Sequence, residues 1–189
     1  TLTSNGAGTL TITTGGTENL ILNTNSGTNS GSITITDAAN QDILIAPNGY
    51  GRATFSGQGK IQSVAEKVTV EATAATGTKT YDVLTQAVLF YTSDASGDWT
   101  LNIRGDGSPT LNSIMDTGES ITVAHIVTIG SSEYRNSALQ LEGASVTPKY
   151  AGGSAPTEGN TNSIDSYVYT IIKTGDATFT ALASLTQFA

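Results

Sequence analysis

His125 is the single imidazole of the chain, so any general-base or Ser-His-Asp chemistry has to pass through it. It sits in Ile121-Thr122-Val123-Ala124-His125-Ile126-Val127-Thr128-Ile129, on the same alternating face as Ile121, Val123, Val127 and Ile129. A lone histidine on an apolar strand face reads as a hydrogen-bonded core or subunit-axis residue rather than a base or metal ligand. The sequence has no Gly-x-Ser-x-Gly elbow, so no hydrolase triad is expected. Asp94-Ala95-Ser96-Gly97-Asp98 opens like a calcium loop, with oxygens at alternate positions. The sixth position from Asp94 is Trp99 instead of Gly and the twelfth is Gly105 instead of Glu, so the EF-hand pattern fails and a turn is the better reading. Glycine is abundant but forms no phosphate-cradling motif, and without cysteine there is no thiol nucleophile, disulfide or thiolate metal site. No catalytic residue, metal or cofactor is expected.

Two segments invite a binding role. Arg104-Gly105-Asp106 spells a cell-adhesion tripeptide, yet its continuation Gly107-Ser108-Pro109 is turn chemistry, and three residues specify little. The longest irregular segment runs from Thr147 to Asn162. Long loops on rigid β scaffolds are where recognition concentrates. Here an exposed Tyr150 would stack on a sugar ring while Glu158, Asn160 and Asn162 bond its hydroxyls, which makes these four the receptor-binding candidates. The competing reading has the same loop packing across its own sandwich or a neighbouring subunit.

The elements that must position these residues are strands. In residues 1–59 a short apolar/Thr alternation recurs at Thr9–Thr13, Asn19–Asn23, Ser32–Thr36, Asp42–Ala46 and Arg52–Ser56, separated by Asn, Gly, Ser and Pro turns. Each strand offers one apolar face, too small to form a core alone. Leu10, Ile12, Leu20, Leu22, Ile33, Ile35, Ile43, Ile45 and Phe55 are therefore expected to be buried between chains or inside a solenoid, as the core of a repetitive β shaft. Only Glu18, Asp37, Asp42 and Arg52 are charged in this stretch.

From about Lys60 the composition shifts, and the lone Trp, Met and His all follow. Strands are expected at 67–73, 82–92, 98–104, 120–129, 133–141, 145–150, 164–173 and 177–188, with a single helical turn at Leu111–Met115. Eight short strands in residues 60–189 predict an antiparallel, jelly-roll-like β-sandwich. Tyr81–Tyr91 and Val168–Ile172 are apolar on both faces; one cover is the opposing sheet and a neighbouring subunit would supply the other. The fold class expected for the whole chain is all-β.

Charge and composition narrow the function classes. The 189 residues hold 8 Lys plus Arg against 16 Asp plus Glu, a net charge of −8, which repels a phosphate backbone and an anionic membrane surface. Nucleic acid and membrane insertion are therefore not expected; the apolar runs are also far shorter than the roughly 18 residues a spanning helix needs. Charged residues are 13%, and 32 Thr plus 19 Ser give a hydroxyl-rich chain typical of β proteins. The chain opens Thr1-Leu2-Thr3 with no initiator Met and reads as part of a longer or processed polypeptide.

The stretch Asn23 to Asn40, followed by Ile45-Ala46-Pro47-Asn48-Gly49, resembles the tandem repeats of tail-fibre-like virion proteins of marine bacteriophages, especially those infecting cyanobacteria. Tyr81-Asp82-Val83-Leu84-Thr85-Gln86, Tyr91-Thr92-Ser93, Thr117-Gly118-Glu119-Ser120, Val146-Thr147-Pro148-Lys149-Tyr150 and Thr186-Gln187-Phe188-Ala189 resemble the terminal domain of such proteins. The resemblance implies a homotrimeric virion-surface appendage, with a shaft at 1–59 and a head at 60–189. Its implied partners are other virion proteins and a host-surface glycan or protein. A capsid-decorating protein that reinforces the shell, and a glycan-binding module, are the alternatives.

Overall fold

The computed structural model describes residues 12–189. The chain divides into two compact units, Thr1–Gln62 and Ser63–Ala189, where the composition shift had suggested a break after residue 59.

The first unit contains Leu20–Asn23 (β1), Ser32–Ile35 (β2) and Ile43–Ala46 (β3), which form an antiparallel meander in the order β1-β2-β3. The turn chemistry explains the reversals. Asn25, Ser26, Gly27 and Asn29 all take positive φ between β1 and β2, and Asn40 does so between β2 and β3, a backbone region that Gly and Asn enter most easily. Gly31 is needed for space as well: a Cβ there would lie 2.9 Å from the Ala46 carbonyl oxygen. Of the two remaining segments expected to be strands, Thr9–Thr13 falls mostly outside the described residues. Arg52–Ser56 has no regular structure; glycines at 49, 51, 57 and 59 flank it and weaken any pairing.

The second unit comprises Val68–Ala74 (β4), Gly77–Asp82 (β5), Val88–Ser93 (β6), Trp99–Arg104 (β7), Leu111–Ile114 (α1), Ser120–Ile129 (β8), Asn136–Leu141 (β9), Ala144–Val146 (β10), Lys149–Tyr150 (β11), Ser163–Gly175 (β12) and Thr178–Phe188 (β13). They form a six-stranded sheet, β11-β13-β12-β8-β6-β4, and a four-stranded sheet, β10-β9-β7-β5. The all-β expectation stands, but the sheets are mixed rather than antiparallel. β4, β6 and β8 pair in parallel, and so do β5, β7 and β9.

The reason is that from β4 to β9 consecutive strands do not pair. The chain leaves the six-stranded sheet at Thr76-Gly77, Ser96-Gly97 and Gly130-Ser131 and enters the four-stranded one each time, so β4–β5, β6–β7 and β8–β9 are three stacked rungs of a two-sheet coil. The crossings stack through backbone hydrogen bonds, Ser96 N–H to Ala75 C=O at 3.1 Å and Ala95 N–H to Thr128 C=O at 2.9 Å. They also stack too tightly for side chains, since a Cβ on Gly97 would sit 2.8 Å from Thr76 Oγ1 and one on Gly130 2.6 Å from Asp94 Oδ2. After the third rung the long pairings are antiparallel, β10 folding back on β9 and the β12–β13 hairpin adding to β8, while the two-residue β11 runs parallel to β13. Tyr81–Tyr91, expected as one strand, is the end of β5, a turn and then β6, which lie in different sheets.

The core lies between these two sheets. Trp99, Leu101 and Ile103 from β7 meet Leu89, Tyr91, Val123, Val127, Tyr167, Tyr169 and Ile171 from the other layer. Each large side chain so buried contributes roughly 1.5–3 kcal/mol before entropy is subtracted. Lys173 is also buried, and its ammonium donates to the carbonyls of Asn112 at 2.7 Å and Met115 at 2.8 Å, fixing α1 to β12.

Candidate functional site

Cross-strand register shows which side chains share a face. Leu20 opposes Ile35 and Leu22 opposes Ile33; on the far side Ile33 opposes Ile45 and Ile35 opposes Ile43. Directly paired residues project from the same side of a sheet, so Leu20, Leu22, Ile33, Ile35, Ile43 and Ile45 form one continuous apolar face. Ile12 lines a groove beside Leu20 and Ile35, next to that face. A second groove of about 390 Å³ lies on the face, walled by Leu22, Ile33, Ile45, Pro47 and Ala53. Leu22, Ile33, Ile35, Ile43 and Ile45 remain between 40% and 65% exposed. Seven of the nine residues expected in a shaft core thus gather here. Phe55 is apart, 74% exposed and outside any strand, and Leu10 falls outside the described residues. The pattern reading overlooked Ile21 and Leu44, which lie on the opposite face and are also more than half exposed.

The receptor-binding candidates are not gathered in one place. Tyr150 is in β11, paired with Ala183 of β13, and is half-buried against the core with its phenol beside that of Tyr169. Together with Lys149, Val168, Thr170, Leu182 and Ser184 it lines a groove of about 380 Å³ that includes none of Glu158, Asn160 and Asn162. Those three lie in a segment stapled to residues 130–135. Gly159 N–H donates to Glu133 C=O at 2.9 Å and Asn162 N–H to Gly130 C=O at 2.8 Å, while the Arg135 guanidinium donates to Thr157 C=O. Asn160 is tied inward by its N–H to Asp165 Oδ2 and by its carbonyl, which accepts from Ser163 Oγ. Glu158 and Asn162 are exposed.

His125 is fully buried, and neither ring nitrogen has a hydrogen-bond partner in the chain, although a hydrogen-bonded residue was expected. Its ring meets the edges of Tyr91 at 5.6 Å and Trp99 at 5.9 Å. Burial, with the Lys79 ammonium as the smaller cause, pushes its pKa down to about 3, so it is a neutral imidazole sealed from substrate. Burial likewise lifts the Asp165 carboxyl above the usual carboxylate range. Asp98 braces a turn by accepting from Arg135 N–H at 3.0 Å, and Arg104 of the adhesion-like tripeptide is held in a two-point ion pair by Asp82. No cluster of three or more His, Asp or Glu with metal-binding geometry occurs among the described residues.

The site geometry therefore favours surfaces over pockets: an apolar sheet face in the first unit, and shallow grooves in the second. No family model, curated protein or solved structure matches the chain.

Proposed function

We propose that the chain is a non-enzymatic virion structural protein of a bacteriophage, a homotrimeric fibre or appendage whose second unit is the head and contacts the host surface. The observation that carries this reading is the apolar face of β1, β2 and β3. Six large aliphatic side chains on one side of a three-stranded sheet are far more than a monomer leaves in water without a partner, and patches of this kind mark interaction sites. Further copies of the same chain supply that cover, and the resemblance of Asn23–Asn40 to fibre repeats sets the number at three. The acidic, hydroxyl-rich composition fits a particle surface outside the cell.

The test is the mass of the full chain by light scattering. The expected value is close to three times the 19.3 kDa chain mass. Replacing both Ile33 and Ile35 by Asp places two carboxylates in the apolar face and should dissociate the assembly at low micromolar concentration. A double variant that keeps the parent's mass and melting temperature overturns the shaft reading.

A further inference from the structure

The outer faces of the two sheets in the second unit differ in kind. On the four-stranded sheet, register places Thr78, Thr80, Thr100, Asn102 and Gln140 outward, together with the Asp82–Arg104 pair at 2.5 Å. This is a wet surface. On the six-stranded sheet the outward positions are Val68 and Val70 of β4, Val88 and Phe90 of β6, Ala124 and Ile126 of β8, Ile164, Val168 and Ile172 of β12, and Leu182 and Phe188 of β13, with Ser and Thr between them. The ionisable residues Glu71, His125, Asp165 and Lys173 of the same strands all fall at inward positions, and the single outward charge is Lys149 on the edge strand β11. Val68, Val70, Leu182 and Phe188 are between 41% and 62% exposed.

We infer that this outer face is where the second units of neighbouring copies pack on one another, a deepening that rests on the oligomeric reading above. Size is the first argument. Five strands about 4.8 Å apart, averaging roughly nine residues at about 3.3 Å, give a face of about 700 Å² in projection, against the ~800 Å² per partner that a stable interface buries. Charge is the second. Each copy carries a net −8, so copies repel least where the surfaces that meet lack carboxylates, and no Asp or Glu of these strands projects from this one. A charged partner would find only Lys149 to pair with, the other polar groups being Ser and Thr hydroxyls.

The chain has no cysteine, so one introduced thiol reports cover directly. Thr122 is exposed on β8 at an outward position, with its hydroxyl 3.3 Å from that of Thr170, and Thr80 is exposed on the outer face of the other sheet. Thr122→Cys and Thr80→Cys are alkylated with a maleimide in the full chain, with mass read by light scattering on the same samples. The expected result is an oligomer in which Thr122→Cys reacts at least tenfold more slowly than Thr80→Cys, the difference vanishing when dilution yields monomers. An oligomer with equal rates overturns this inference and leaves the shaft reading intact. A monomer with equal rates overturns both. Protection that persists in monomers overturns the inference, because the cover then comes from the same chain.

Discussion

Lowering the pH from 7.5 to 5.0 should remove about 2 kcal/mol of stability through His125 alone. In the folded chain this imidazole is fully buried without a hydrogen-bond partner and its pKa lies at about 3, against an ordinary 6.5. The folded-state value is depressed, so the unfolded chain takes up a proton first as the pH falls. Stability is complete above pH 6.5, declines below it, and the loss levels off below about 3. At pH 5 the unfolded imidazole is almost wholly protonated while the buried one stays neutral, which corresponds to about 2 kcal/mol; the limiting loss at lower pH is about 5 kcal/mol. His125→Leu keeps a similar volume and removes the titration. It also removes two unsatisfied buried nitrogens, each costing about 1–3 kcal/mol, so the variant should be at least as stable as the parent at pH 7.5. Urea unfolding of both proteins at both pH values, at one protomer concentration, gives a double difference in which the carboxylates common to both cancel. If the parent and the variant lose equal stability between the two pH values, the sealed, neutral imidazole is wrong.

Two further outcomes concern the frame of the second unit. Lys173→Met should lower stability by about 2–4 kcal/mol in thermal unfolding, because two charge-assisted bonds to the Asn112 and Met115 carbonyls disappear and those acceptors lose their partner. Gly159→Ala should cost about 1–3 kcal/mol and loosen the 157–162 segment to proteolysis, since the added Cβ would lie 2.1 Å from the Tyr134 carbonyl oxygen and only backbone movement relieves it. Limited trypsin digestion, read by mass at Arg135, checks the second effect.

Period-2 alternation made most strands of the chain readable, and it also identified the face of β1, β2 and β3, because Leu22, Ile33 and Ile45 recur in phase with strong turn residues. The same signal is blind to pairing direction. In Trp99-Thr100-Leu101-Asn102-Ile103-Arg104 the apolar residues alternate inward, as they would in a hairpin, although both neighbours of β7 run parallel to it. Gly77, Gly97 and Gly130 are turn-forming residues locally, and the turns they make are crossings between sheets. What set them apart is that Gly97 and Gly130 press against the neighbouring crossing, which no local pattern records. The anchoring of the Tyr150 segment was hidden for a related reason. Its Gly and Asn content signals irregular backbone, but its anchors at Glu133, Gly130 and Asp165 arrive from other parts of the chain or from its far end. The two-sided apolar pattern of Val88, Phe90, Val168 and Ile172 is legible in the sequence, and these residues lie on the outer face of the six-stranded sheet.

The rung arrangement also governs how the second unit is reached from the unfolded chain. Val68 pairs with Val88, twenty positions on, and Val88 with Ala124, thirty-six positions on, so each parallel ladder must close a long loop before its first contact stabilises it. The local ladders are the three-residue β9–β10 pair and the much longer β12–β13 hairpin. The best seed for the unit therefore lies on the C-terminal side of the rungs it has to organise, and a ribosome delivers the parts of the coil before the piece on which they assemble. Until that hairpin is free, the strand edges of the rungs stay open to pairing with other chains, and the chain has a reason to hold its apolar segments as short as it does.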